Sequence, residues 1–298
     1  MKVGFVGLGG MGKPIAQNIA RAGFDLTVAD LREGPVQDLV ALGARAAKNP
    51  GEAAHGADIV LASLPTPSAS EAVGAQVVAS ARRDAIYVDL STILPATIRR
   101  IAELGRANGV HVLDSPVSGS TEQRENGTLA VMVGGDAAVV DRAMPVLRAF
   151  GNPVFHVGDL GAGVTIKLIN NLTLATNSVA VMEALVLGAK AGVKPETLIE
   201  VISASSGASA AWRSAKAALA TSSIPGPEGP RAGFNLLVKD TQLAAELARD
   251  LSVPLLGGTA ATQAYLVGEA WGLGQHEIWA LIEVFERLAG VRVRPPHL

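Results

Sequence analysis

The chain has 298 residues, a formal net charge of −2, 49% hydrophobic and 17% charged residues, and no cysteine. That length suits two domains, and the apolar fraction excludes a largely disordered chain. The near-neutral charge gives no basis for a nucleic-acid or anionic-membrane partner, and the missing cysteines exclude disulfides, thiolate catalysis and Cys-ligated zinc.

Met1–Gly7 reads as a strand entering a glycine turn, not as a secretory signal, because it has one basic residue and no long apolar core. Val3–Val6, Leu26–Ala29, Ile59–Leu64, Ile86–Leu90, His111–Leu113 and Leu129–Val133 follow as short continuous apolar runs. Continuous runs suit strands covered on both faces. Lys13–Ala22 and Ala96–Ala107 carry helical spacing between them. Strand alternating with helix predicts a Rossmann-type, doubly wound parallel sheet over residues 1–161.

After Gly161-Ala162-Gly163 the strand-like runs stop. Val164–Ala191 reads as one long inter-domain helix, followed by helices at Pro195–Ala204, Ala210–Ala220, Val238–Asp250, Gly258–Gly268 and Gln275–Ala289. Residues 162–298 are therefore expected to form an all-helical domain for substrate binding and oligomerisation. Pro225–Pro230 reads as a loop and Val291–Leu298 as a solvated tail. The apolar stretch Ser178–Gly192 is interrupted by Glu183 and Lys190 and falls short of the roughly 20 residues of a membrane span. No membrane partner is expected, and the cytoplasm is the expected location.

Gly7-Leu8-Gly9-Gly10-Met11-Gly12 fits the pattern G-x-G-x-x-G. The pattern is weak alone, but here it follows a predicted strand, opens a helix and precedes Asp30 at the end of the second strand. Gly7 permits the tight turn, Gly9 lets backbone N–H groups approach a pyrophosphate, and Gly12 lets helix and strand pack closely. The helix N-terminus adds partial positive charge for the phosphates. Asp30 stands where a carboxylate accepts from ribose hydroxyls and repels a 2′-phosphate, which favours NAD over NADP. Arg32 works the other way, since a guanidinium there could reach that phosphate, and NADP stays open as the alternative.

Taken together, Gly7–Gly23 with Asn18, Leu64-Pro65, Asp89-Leu90-Ser91-Thr92, Asp114-Ser115-Pro116-Val117-Ser118-Gly119, Gly161-x-Gly163-x-x-x-Lys167-x-x-Asn170-Asn171 and Lys239-Asp240 resemble the β-hydroxyacid dehydrogenase family. The resemblance spans nearly the whole chain. It implies hydride transfer between the carbinol carbon of a small, carboxylate-bearing 3-hydroxy acid and NAD, in a homodimer or homotetramer. It implies that Leu64, Pro65 and Thr92 line the cofactor near its nicotinamide end and that Lys239 reaches it from the helical domain. Ser118 and Gly119 are implied to hold the substrate carboxylate, with Ser120 beside them and Asp240 at the pocket's edge. Lys167 matches the family's catalytic lysine, and Asn171 the asparagine that positions substrate beside it.

The residues themselves give a second reading of Lys167. A lone helical lysine is usually just solvated. Here Lys167 and Asn171 are four apart on a largely apolar helix and share a face. A lysine of ordinary pKa, about 10.4, is protonated at neutral pH and accepts no proton. Desolvation and a nearby positive ring would lower it toward the range that suits a general base.

Four positions depart from the family pattern: Ser120 stands where a second glycine is usual, Gln123 and Arg124 replace a glycine-alanine pair, and Ile15 replaces the usual methionine of the first helix, a volume-conserving change read as packing. Trp212 and Arg213 are candidates for substrate recognition or for plain packing. The five histidines are scattered without ligand spacing, so no metal is expected. The alternatives are an imine reductase-like NAD(P)H enzyme, which Lys167 with Asn171 argues against, and a cofactor-binding protein without catalysis.

Overall fold

The computed structural model describes residues 1–220 and 233–293. The expected loop Pro225–Pro230 and the tail from Arg294 onward lie outside the described residues. The chain forms two compact units, Met1–Lys167 and Leu168–Leu298.

The first unit begins β1 (Lys2–Val6), α1 (Gly12–Arg21), β2 (Asp25–Ala29), α2 (Glu33–Val40), β3 (Arg45–Ala46) and α3 (Pro50–Ala54). It continues with β4 (Ile59–Ala62), α4 (Pro67–Ser80), β5 (Ile86–Asp89), α5 (Pro95–Asn108) and β6 (His111–Asp114). Then come β7 (Val117–Ser118), α6 (Thr121–Asn126), β8 (Leu129–Gly134), α7 (Ala137–Leu147) and β9 (Gly151–Gly158). These strands make one sheet ordered β3-β2-β1-β4-β5-β6-β8-β7, with β9 beside β8. From β3 to β6 every pairing is parallel. Every residue of β4 and β5 is buried, as helices on both faces require.

The sheet departs from the wholly parallel expectation at its far end. β8 runs antiparallel to β6 and β7. The chain returns from β7 to β8 through the six-residue α6, shorter than the dozen or so residues of a parallel crossover. β9, parallel to β8, is mostly exposed, so it lacks the apolar run by which a strand is read. Side-chain caps fix several helix starts: Thr66 Oγ1 accepts from Ala69 N at 3.2 Å and Asp136 Oδ1 from Ala138 N at 3.0 Å.

The second unit takes up α8 (Ala162–Lys190) after Lys167 and adds α9 (Pro195–Ser203), α10 (Ala210–Ala220), α11 (Phe234–Asp250), α12 (Leu256–Ala270) and α13 (Ile282–Ala289). Among the described residues it holds no strand. Its core gathers Met182, Leu185, Trp212, Phe234, Tyr265 and Trp279, with the Phe234 and Tyr265 rings 5.2 Å apart. The helix expected over Gln275–Ala289 is broken into 3-10 turns at Leu273–Gln275 and Ile278–Leu281 before α13. Trp279 to Ile282 are consecutive buried residues, which one face of an α-helix cannot supply. By length and composition α8 is apolar enough to cross a membrane. Val179, Val181, Met182, Leu185 and Val186 are instead buried within the second unit, as in the central helix of a bundle.

Candidate active site

In the first unit the glycine loop is shaped by contacts that exclude side chains. Gly7 sits at φ +91° and donates to Ala29 O at 2.9 Å, and a Cβ there would strike Ser63 O. A Cβ on Gly12 would strike Gly7 O, so α1 can start this close to β1 only with glycine. Gly9 and Gly10 differ: a Cβ on either would meet nothing within 4 Å. The protein itself does not require glycine there; a ligand lying against the loop would. α1 has no acidic residue in its first turn and Met11 provides no side-chain cap, so no negative group stands at this positive helix end to oppose an anion, although Lys13 N already donates to Gly9 O at 3.1 Å. The loop thus fits a dinucleotide pyrophosphate.

Asp30 is locked beside this loop. Its Oδ2 accepts from Leu8 N at 2.6 Å and its Oδ1 from Arg32 N at 2.8 Å. Leu8 serves through its backbone, since its side chain is buried in the core. Arg32 pairs with Asp30 at 3.1 Å and also donates to Leu8 O at 3.0 Å. Burial pushes the Asp30 carboxyl upward, but the Arg32 side chain, Arg32 N–H and Leu8 N–H outweigh it and leave it below its ordinary value. Asp30 is therefore an acceptor at neutral pH, while Arg32 is turned toward it rather than held as a separate phosphate ligand.

Leu64 and Thr92 lie on the loops after β4 and β5, and a buried network ties those loops. Leu64 N donates to Ser91 Oγ at 2.9 Å, Ser91 N to Asp89 Oδ1 at 2.8 Å, and Tyr87 Oη to Asp89 Oδ2 at 2.9 Å. Burial raises the Asp89 carboxyl, against the lowering effect of Ser91 and Tyr87. Pro65 is exposed. Sequence reading noticed Asp89 and Ser91 only as motif letters; no local periodicity reveals that they hold Leu64.

The Ser118–Ser120 segment explains two of the departures. Ser120 is the N-cap of α6: its Oγ accepts from Gln123 N at 3.2 Å, while Gln123 Oε1 accepts from Ser120 N at 2.9 Å. Ser120 and Gln123 are a paired exchange, a capping box in place of two small residues. Asn18 Nδ2 donates to Arg124 O at 3.0 Å, tying α1 to α6. Ser118 is half-buried and Gly119 exposed. Lys167, half-buried on the second turn of α8, closes this unit.

In the second unit, Asn171 and Asp240 are brought together across 69 residues of sequence. Asn171 Nδ2 donates to Asp240 Oδ2 at 2.5 Å, and Asn170 Nδ2 donates to Asn171 Oδ1 at 3.0 Å. Lys239 Nζ stands 3.0 Å from Asp240 Oδ1 as an ion pair. Asn171 is 7% and Asp240 5% exposed, so the amide is held by a desolvated carboxylate. Trp212 is packed in the core, which decides between its two readings, and Arg213 is exposed. Among the described residues no group of His, Asp and Glu is arranged to hold a metal ion.

Residues 2–158 match the family model described as the NAD binding domain of 6-phosphogluconate dehydrogenase. Residues 161–285 match the one described as NAD-binding of NADP-dependent 3-hydroxyisobutyrate dehydrogenase. The chain is 39% identical to 2-(hydroxymethyl)glutarate dehydrogenase of Eubacterium barkeri, over 98% of this chain and 97% of that protein. It is 33% identical to NAD-dependent L-serine dehydrogenase of Pseudomonas aeruginosa, over 97% and 99%. The solved structure of 3-hydroxyisobutyrate dehydrogenase from Mycobacterium tuberculosis with L-serine superposes with a TM-score of 0.85 at 31% identity, covering 95% of this chain and 98% of that one.

Proposed function

The chain belongs to the β-hydroxyacid dehydrogenase family and is an NAD(P)-dependent oxidoreductase, and on that premise we propose that Lys167 takes the hydroxyl proton of a small 3-hydroxy acid as its carbinol carbon is oxidised. A nicotinamide dinucleotide held by Gly7–Gly12 and Asp30 would supply the hydride acceptor for that carbon. The neutral Lys167 amine becomes ammonium as the hydroxyl proton arrives, and in reduction the ammonium returns it to the developing alkoxide. Asn171, with its amide nitrogen committed to Asp240, keeps one orientation beside Lys167 on α8. Ser118 and Gly119 hold the substrate carboxylate, Ser120 steadies them as the cap of α6, and Asp240 secures Asn171 and Lys239. Gly7–Gly12 would cradle the pyrophosphate, Asp30 would take the ribose hydroxyls, and Leu64, Pro65, Thr92 and Lys239 would contact the rest of the cofactor.

The observation that carries this reading is α8 itself, which places Lys167 and Asn171 one turn apart, the asparagine's orientation already fixed by a buried carboxylate. NADH formation with 3-hydroxyisobutyrate, L-serine and 2-(hydroxymethyl)glutarate, repeated with Lys167→Ala, tests it. Turnover of none of the three, or turnover that survives in the variant, rejects it.

The same reading includes a cytoplasmic homo-oligomer, a dimer or tetramer. Support comes from apolar residues that the second unit leaves exposed, among them Leu187, Leu256 and Leu288 at 72%, 88% and 73%. Sedimentation at micromolar concentration checks it, and a monomer alone rejects it.

A further inference from the structure

Asp114, the last residue of β6, is fully buried, and neither of its two carboxylate oxygens is idle. Oδ1 accepts from Gly161 N at 2.7 Å and Oδ2 from Val164 N at 2.7 Å. Gly161 precedes α8 and Val164 lies in its first turn, so this one side chain satisfies two N–H groups that the helix cannot pair internally. The surroundings are closed around it. A Cβ on Gly163 would strike Met132 O and come within 2.8 Å of Asp114 Oδ2, and one on Gly134 would strike Asp114 Oδ1. Both glycines keep the backbone of β8 and the start of α8 pressed onto the carboxylate.

An ordinary N-cap comes from the residue next to the helix and fixes only where the helix begins. Here the cap comes from the sheet, 47 and 50 residues earlier in the chain. A remote cap also fixes where the helix lies with respect to the strand that carries it. A slide or rotation of the first turn of α8 would break both bonds together. The negative charge sits at the positive end of a long helix, which favours the arrangement.

We propose that Asp114 is the positioning residue for Lys167, holding the first turn of α8 on β6 so that the lysine stands at a fixed place in the first unit. Lys167 follows Val164 by three residues, a rise of roughly 4.5 Å along the axis, so its backbone inherits the anchored turn's position. A proton-transfer group is sensitive to this, because a misplacement of about 1 Å can cost on the order of 100-fold in rate. The inference rests on the reading of Lys167 as the proton acceptor.

The test uses the full-length enzyme with Asp114→Asn and Asp114→Ser, alone and combined with Lys167→Ala. Asn keeps the shape but turns an NH2 toward one of the two backbone donors, and Ser offers a single acceptor in case Asn disturbs folding. NADH formation from L-serine, 3-hydroxyisobutyrate and 2-(hydroxymethyl)glutarate is followed at saturating NAD, by single turnover where rates are low. In the Lys167 background each Asp114 substitution is expected to lower kcat by roughly 10- to 100-fold. Proton transfer to Lys167 is expected to give kcat/KM for alcohol oxidation a limb that rises with pH; that limb is expected to move, and NAD affinity to stay within about threefold. In the Lys167→Ala background the same substitution is expected to cost less than about threefold, because the group it positions is gone. Equal losses in both backgrounds would make Asp114 a stabilising cap only and overturn the inference. So would a kcat within about threefold of the parent with an unmoved pH limb. A Lys167→Ala enzyme that keeps its kcat would instead remove the premise, an outcome separate from either of these.

Discussion

The glycine loop of the first unit and the Asn171–Asp240–Lys239 cluster of the second are built on opposite principles. The loop acts through its backbone: Gly7 and Gly12 are required by the protein's own close contacts, and Gly9 and Gly10 by nothing within it. The cluster acts through helix-borne side chains gathered on the buried pair Asn171 and Asp240, each oriented by the next. A backbone site is written in the sequence as missing side chains at fixed spacing and tolerates little else. A side-chain site uses common residues whose meaning depends on partners far along the chain. The contrast predicts different kinds of damage in the two regions.

The largest effect falls on α8, the helix along which the chain passes from the first unit to the second. Lys167→Ala is expected to lose about 10²- to 10⁴-fold in kcat for alcohol oxidation with NAD affinity nearly unchanged. The rising limb of its pH profile should vanish. Lys167→Arg should not rescue, since guanidinium stays protonated. Steady-state kinetics across pH, with NAD titrated by fluorescence, decide this.

Within the loop, two glycines should separate folding from binding. Gly12→Ala forces a Cβ onto Gly7 O and is expected to cost about 1–3 kcal/mol of stability, several degrees in Tm, along with NAD binding. Gly9→Ala should leave Tm within about a degree or two, because nothing of the protein lies in its way, yet raise KM for NAD by roughly tenfold or more. Equal Tm losses in both would erase the distinction.

In the cluster, Asp240→Ala leaves the buried Asn171 amide without its acceptor, a loss of about 1–3 kcal/mol. Its expected signature is a KM for the hydroxy acid raised more than kcat is lowered. The mirror image, a change in KM for NAD alone, would assign Asp240 to the cofactor instead of to Asn171.

The smallest effect concerns Asp30. Asp30→Asn and Asp30→Ala should narrow the preference for NAD over NADP, because the repulsion is gone and Arg32 is released. Comparable kcat/KM with both cofactors in the unmodified enzyme would contradict the premise. The pH sign also follows. A carboxyl held below its ordinary value contributes stability above the unfolded pKa of about 3.9, which is lost as pH falls through the lower folded value. The stability gap between parent and Asp30→Asn should therefore be open at pH 7 and shrink toward pH 2, as read by denaturant unfolding.

The sequence by itself determined the fold class, the glycine loop with Asp30, and the pairing of Lys167 with Asn171 on one helix. Each of these is local: short continuous apolar runs against period 3.6, glycine spacing, or an i,i+4 relation. Only the tertiary structure decided what joins distant segments: Asn171 with Asp240, Leu64 with Ser91, and Asp114 with the start of α8. It also decided that Ser120 and Gln123 form a capping box, that Trp212 is core and that β8 runs antiparallel. Hydrogen bonds between segments 27 to 69 residues apart leave no periodic trace in the chain. They exist only once burial has brought their polar groups out of water and left them no partners but each other.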